Sequence, residues 1–134
     1  TPGWRVIKDR GSLLIEPVQE AVKPLLEIKE HPYTPDFMIP RNKATACFDA
    51  DKLQHPLSLR LCRQGDSFVP FGMKGRKKVS DYLTDRKFSL LRKERQWVLC
   101  CGDDIIWLVG ERVDNRFRID EKTRKVLVVS TIDQ

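Results

Sequence analysis

A dense group of cations is the feature of this sequence best suited to chemistry, and it falls within residues 72–95, GMKGRKKVSDYLTDRKFSLLRKER. The segment holds nine of the 25 Lys and Arg residues and three of the 19 acids, so it accounts for the whole net charge of +6. Clustered ammonium and guanidinium groups bind phosphates, and this basic balance favours a polyanion as partner. A solvated helix face rich in Lys explains such a run about equally well.

The same segment predicts an amphipathic helix. Val79, Tyr82 and Leu83 are spaced at i, i+3 and i+4, so they would form one apolar stripe on a helix that docks on a core. We also expect Phe71 and Met73, in the turn before the helix, to be buried.

The basic run before this stripe predicts an anion site. Arg76, Lys77 and Lys78 are expected in the first turn of the helix, where the helix dipole disfavours each cation by about 0.3 to 1 kcal/mol. A bound anion would remove that cost, because the backbone N–H groups and the cations would converge on it. Gly72 and Gly75 lie just before the run and leave the backbone accessible. The sequence therefore predicts contact with phosphate.

No catalytic or metal-binding constellation is apparent. The run GMKGRKKVS lacks the spacing of a P-loop, and no serine lies in a nucleophile elbow. His31 and His55 each precede a proline and are expected in loops. Zinc is not expected, because no CxxC spacing occurs among the four cysteines, Cys47, Cys62, Cys100 and Cys101. Cys100 and Cys101 are adjacent in a predicted strand and should point to opposite faces, as reduced thiols.

The hydrophobic pattern predicts an α+β fold, in which short strands and hairpins form a sandwich-like arrangement around a central basic helix pair. Ser89 should cap the second helix, at 90–96.

Three prolines within 31–42 indicate an extended connection, so we divide the chain into an N-terminal segment, 1–42, and a domain, 43–134. No apolar run is long enough to cross a membrane. Strands are predicted at 4–9, 12–16, 25–30, 44–49, 57–62, 97–101, 105–109 and 125–132.

From Leu59 onward the sequence resembles the C-terminal domain of bacterial tRNA(Ile)-lysidine synthetase, the TilS or MesJ family. The resemblance extends over roughly residues 45–129 and is weak in the first 40. An ordered set of residues carries it: Arg60, Arg63, Gly65, Asp66, Phe68, Pro70, Gly72, Gly75, Lys77, Lys78, Asp81, Asp85, Arg86, Lys87, Ile106, Trp107, Gly110 and Arg112.

The resemblance implies a fold akin to a domain of the phenylalanyl-tRNA synthetase β-subunit and a role in tRNA binding. The parent ligase joins lysine to the wobble cytidine of tRNA(Ile) in the cytoplasm, with ATP and Mg in an N-terminal domain whose SGGxDS loop does not occur in this sequence. We therefore expect a non-catalytic chain without a metal of its own. The tRNA contacts implied, along the backbone of the acceptor stem, are Lys74, Gly75, Arg76, Lys77, Lys78, Arg86 and Arg112.

Other roles stay open. Arg60 and Asp66 are better explained as a structural ion pair than as RNA contacts. The domain could instead be a protein-interaction module that forms a homodimer of the parent enzyme through its apolar strands. An independent small enzyme is the third alternative, and no motif favours it.

Overall fold

The computed structural model of the chain describes residues 4–9, 12–17 and 23–132. Strands dominate, and two short helices lie in the middle of the chain. The strands are β1 (Trp4–Asp9), β2 (Ser12–Pro17), β3 (Leu25–Pro32), β4 (Thr45–Asp49), β5 (Leu57–Leu61), β6 (Ser67–Phe68), β7 (Lys77–Lys78), β8 (Trp97–Cys101), β9 (Asp104–Leu108), β10 (Arg112–Val113) and β11 (Lys125–Ile132). The helices are α1 (Val79–Asp85) and α2 (Leu90–Glu94), with 3₁₀ turns at Ala50–Lys52 and Asn115–Phe117.

A four-stranded antiparallel sheet, in the order β10-β9-β8-β5, forms the centre of the fold. Its β8–β9 hairpin is the one predicted from the apolar runs at 97–101 and 105–109 and the turn at Gly102 and Asp103 between them. Both faces of the hairpin are buried: Cys101 lies in one hydrophobic cluster and Cys100 in another. The prediction that these adjacent thiols point to opposite faces is confirmed.

A three-stranded antiparallel sheet, in the order β3-β11-β4, covers one face of the central sheet. Phe48 of β4 and Val129 of β11 pack there against Leu99 and Trp107 of the central hairpin. The second face is covered by α1, whose Tyr82 and Leu83 join the other cluster. These layers confirm the predicted α+β class with two facing sheets.

Strand β3 links the N-terminal segment to the rest of the chain. It pairs with β11 over its full length, from Leu25 opposite Ile132 to Pro32 opposite Lys125. Strands β1 and β2 form the predicted hairpin. The division after residue 42 stays a prediction, and β3, from the N-terminal side, completes the second sheet.

No helix in the described part of the chain combines the length and the apolar character needed to cross a membrane.

Candidate nucleic-acid interface

The basic run lies in a loop and a short strand, not in a helix. Strand β7 pairs with β6, Phe68 opposite Lys77, and the Val79 N–H donates to the Asp66 carbonyl at 2.9 Å. This pairing holds Lys78 in an extended conformation, with φ −65° and ψ 138°, so α1 begins only at Val79. The prediction that Arg76, Lys77 and Lys78 occupy the first helical turn is therefore wrong.

The apolar stripe of α1 is confirmed. Val79, Tyr82 and Leu83 are all buried, and the Tyr82 ring packs edge-on against Phe68 with ring centroids 5.5 Å apart. These contacts fix α1 on the central sheet and leave its polar face outward.

Helix α1 ends in a left-handed residue that is not glycine. Lys87 has a φ of 66°. Its N–H donates to the Thr84 carbonyl at 2.9 Å, and the Phe88 N–H donates to the Leu83 carbonyl at 3.0 Å. This is the hydrogen-bond pattern of a Schellman cap. As predicted, Ser89 then caps α2, where its hydroxyl accepts from the Arg92 N–H at 3.2 Å.

Residues 70–73 form a tight turn at the tip of the loop. The Met73 N–H donates to the Pro70 carbonyl at 2.9 Å, and Gly72 in the third position has a φ of +86°. A type II turn requires this left-handed conformation, which favours glycine. Phe71 and Met73 are 47% and 46% exposed, so the prediction that they are buried is wrong. The turn directs both side chains away from the core.

Asn115 fastens this turn to the 3₁₀ segment after β10. Its Oδ1 accepts from the Gly72 N–H and its Nδ2 donates to the Met73 carbonyl, both at 3.1 Å. The Phe71 N–H donates to the Val113 carbonyl at 3.0 Å, and the Arg112 Nη2 donates to the Phe71 carbonyl at 3.1 Å. The backbone of residues 71–73 is therefore held in place.

Asp114 supports the same loop from inside. Its carboxylate is fully buried and accepts the Val69 N–H at 2.9 Å and three N–H groups of Arg116 at 2.8 to 3.0 Å. Sequence reasoning missed Asp114 and Asn115 as loop supports. The sequence signals only the local bond between Asp114 and the Arg116 N–H, because Asp in a turn often bonds to backbone two positions on. The bonds to Val69, Gly72 and Met73 have no such local signal.

The structure brings five of the seven candidate residues, 74–78, together on this loop. Lys74, Arg76 and Lys78 are exposed and have no carboxylate partner among the described residues; the Arg76 Nη1 donates to the Ser67 hydroxyl at 3.2 Å. Lys77 is partly buried and ion-paired to Asp85.

The other two candidates lie outside the run. Arg112 joins the loop through its bond to the Phe71 carbonyl. Arg86 lies just after α1 and pairs with Glu111, with Nε 3.0 Å from Oε1. The Glu111 carboxylate raises the pKa of the Arg86 guanidinium, first through this hydrogen bond and then through its charge. Arg86 therefore stays protonated, and the Glu111 carboxylate partly offsets its charge.

The predicted ion pair of Arg60 and Asp66 is confirmed. The two groups meet through two hydrogen bonds, of 2.8 and 3.0 Å, and the Asp66 Oδ2 also accepts the Arg63 N–H at 2.6 Å. Partial burial raises the pKa of the Asp66 carboxyl, but the bonds from Arg60 and Arg63 outweigh it and leave the pKa lowered. This pair fixes the start of the loop, because the Asp66 carbonyl also holds Val79.

The described residues contain no group of three or more His, Cys, Asp or Glu side chains able to hold a metal ion. Burial raises the pKa of the thiols of Cys47, Cys62 and Cys100, which keeps them protonated and weakly nucleophilic.

Comparisons with known proteins give a consistent result. A family model described as the TilS substrate C-terminal domain matches residues 57–130. The chain is 60% identical over 133 residues to a tRNA(Ile)-lysidine synthase of Bacteroides thetaiotaomicron, covering 96% of the chain and 31% of that protein. It is 50% identical over 141 residues to the one of Parabacteroides distasonis, covering 94% of the chain and 32% of that protein. The chain thus spans about a third of the length of these relatives.

Two solved structures share the fold. A crystal structure of a TilS C-terminal domain superposes with a TM-score of 0.64 at 19% identity, over 81% of this chain and 85% of that one. An N-terminal fragment of the phenylalanyl-tRNA synthetase β-subunit from Pyrococcus horikoshii gives 0.56 at 18% identity, over 65% of this chain and 27% of that one. At these identities the likeness concerns the fold.

Proposed function

Because the chain belongs to the TilS substrate C-terminal domain family, we propose that it is the tRNA-binding C-terminal part of a tRNA(Ile)-lysidine synthase. The parent enzyme would ligate lysine to the wobble cytidine of tRNA(Ile) in the cytoplasm. ATP and Mg would bind to a separate catalytic domain of that enzyme. This chain would bind the sugar-phosphate backbone of the tRNA.

One observation carries the proposal. Lys74, Arg76 and Lys78 lie within five residues, on a loop and the strand β7 that follows it; all are exposed, and none has a carboxylate partner in the described ranges. Some cations elsewhere in the fold are paired, as Lys52 is with Asp120 at 2.8 Å and Arg60 with Asp66 at 2.8 Å, and others, such as Lys43, have no ion-pair partner among the described residues. What sets this run apart is that three such cations lie so close together in the chain. Unpaired cations keep their full charge for a ligand, and their neutralisation by phosphates releases counterions from the RNA.

The type of contact follows from the residues present. The loop offers ammonium and guanidinium groups beside Gly75, whose Cβ position faces open space. Such groups contact phosphates and sugars, which fix orientation and carry little sequence information. Double-stranded RNA is bound mainly through its shape and backbone, so the acceptor stem is the part of the tRNA that we expect here.

The test is a titration of the chain with tRNA(Ile) at several salt concentrations. A variant that combines Lys74→Ala, Arg76→Ala and Lys78→Ala should bind more weakly. The slope of log affinity against log salt should fall by about 2 to 3, because each phosphate contact contributes about 0.7 to 0.9. Circular dichroism should be unchanged, since all three side chains are exposed.

A matched variant removes the same charge from another surface: Lys23→Ala, Lys122→Ala and Arg124→Ala, all exposed. Its salt slope should stay close to that of the unaltered chain. Equal decreases in affinity and salt slope in both variants would show that binding depends on net charge alone. That result would contradict a specific contact between the RNA and the loop.

A protein-interaction module of the same enzyme is the second candidate. Leu25 and Ile132 are 52% and 43% exposed and are paired across β3 and β11, which places two large apolar side chains together on the surface. Light scattering distinguishes this function: a monomer at high concentration would argue against a homodimer.

A further inference from the structure

Phe71 is an exposed aromatic side chain on an immobilised backbone. The residue is 47% exposed, although its N–H, its carbonyl and the neighbouring Gly72 N–H all make hydrogen bonds to residues 112–115. An exposed ring on a mobile tail costs entropy to order when it binds, and this one is already ordered. Such a position suits a contact surface.

A cleft of about 220 Å³ lies beside the ring. That is several times the volume of about 30 Å³ that one water molecule occupies in the liquid. Trp107 and Val113 form its apolar part, and its polar residues are Asn42, Lys43, Thr45, Glu111 and Arg112. Hydroxyl and amide groups therefore line the space next to the ring, where they could pair with the edge of a planar polar ligand.

The charge of the cleft favours an anionic ligand. Lys43 is exposed and has no ion-pair partner among the described residues, and Arg112 bonds only to the Phe71 carbonyl there. The one acid of the cleft, Glu111, is 10% exposed and paired to Arg86. An aromatic face flanked by cations is the arrangement that binds unpaired nucleotides, with the base on the ring and the phosphate on the cations.

We propose that Phe71 stacks on an unpaired base of the bound RNA, while Lys43 and Arg112 contact the phosphate beside that base. This inference rests on the proposed function, because the cations of 74–78 would hold the neighbouring duplex. The turn at 70–73 joins the two sites: Phe71 faces the cleft and Lys74 begins the cationic run. The ligand is thus a junction of duplex and single strand, not a duplex alone.

The experiment compares two RNAs that differ only in one end. The first is a blunt RNA duplex, and the second is the same duplex with a short single-stranded 3′ extension that contains 2-aminopurine. The unaltered chain should bind the extended RNA about 5- to 100-fold more tightly, the gain expected from stacking one base. Stacking should also quench the 2-aminopurine fluorescence.

Phe71→Leu should abolish the quenching and reduce the advantage of the extension to the part that Lys43 and Arg112 contribute, while the affinity for the blunt duplex and its salt slope stay unchanged. Phe71→Tyr keeps a ring and should retain both. Ile28→Ala is the matched control, because Ile28 is 48% exposed but lies on β3 in the other sheet.

Three outcomes would overturn the inference, and they differ in what they say of the tRNA grip. If the unaltered chain binds both RNAs equally, or if Phe71→Leu weakens both by the same factor, the base site is refuted while the duplex grip stands. If neither RNA binds with a dependence on salt, both proposals fail.

Discussion

Replacing Asp114 with Ala should both destabilise the fold and release the cationic loop. The Asp114 carboxylate is fully buried and accepts from Val69 on one side and from Arg116 on the other. Alanine removes these acceptors at once. The Val69 N–H, in a residue that is 8% exposed, would be left without a partner.

The magnitude follows from the groups left behind. A buried donor without a partner costs about 1 to 3 kcal/mol, and a hydrogen bond to a charged group contributes about 1.5 to 3 kcal/mol. Arg116 is 31% exposed and keeps its contact to Asp104 at 3.4 Å. The loss of its bonds to Asp114 should therefore cost an amount near the lower limit of that range. We expect a loss of about 3 kcal/mol in the free energy of unfolding, a large part of the 5 to 15 kcal/mol typical of a domain.

Urea unfolding followed by tryptophan fluorescence measures this loss. With an m-value of about 2 kcal/mol/M, the midpoint should fall by about 1.5 M. Asp103→Ala, which removes an exposed carboxylate in the β8–β9 turn, should change the stability by no more than about 0.5 kcal/mol. A loss below 1 kcal/mol for Asp114→Ala would refute the reasoning that this carboxylate carries the loop.

Three further predictions concern single side chains. Lys87→Gly should stabilise the chain by about 0.5 to 1 kcal/mol in urea unfolding, because glycine adopts a φ of 66° without strain. A loss of stability would show that the contacts of the Lys87 side chain stabilise the fold by more than its strained backbone destabilises it. Glu111→Gln should free Arg86 and raise the salt slope of RNA binding by at most about 0.9, whereas an unchanged slope would place Arg86 away from the RNA. The pKa of Asp66 is lower in the folded chain than its value of about 3.9 in the unfolded chain. The pair with Arg60 therefore stabilises the fold at a pH above about 3.9, and this stabilisation is lost as the pH falls through the folded-state pKa. Asp66→Asn should therefore flatten the decline of stability between about pH 5 and pH 2, and an unaltered acid profile would contradict this role.

Local patterns in the sequence determined most of the secondary structure and part of the site. Two apolar runs separated by a turn predicted the β8–β9 hairpin, and the spacing of Val79, Tyr82 and Leu83 predicted the buried face of α1. Both signals depend on neighbours a few positions apart, so a single sequence contains them. The charge of 72–95 and the resemblance to the TilS family were likewise visible without coordinates.

Only the tertiary structure decided how the cations are presented. The pairing of β6 with β7 holds Lys77 opposite Phe68. Helix α1 therefore begins only at Val79, and the basic run lies in a loop and in β7. The supports of that loop, Asp114 and Asn115, lie some 40 positions away along the chain, with separations of 42 to 45 residues in their hydrogen bonds. No local pattern encodes a contact of that range, since it depends on how the sheets pack.

The same long-range packing exposed Phe71, which its apolar character alone predicted to be buried. A hydrophobic residue is buried only where the fold provides a surface to cover it, and the turn fastened by Asn115 directs this ring outward. The sequence by itself thus determined which residues carry the charge and where the longer strands form. The tertiary structure decided which cations stay unpaired and which aromatic ring stands beside them.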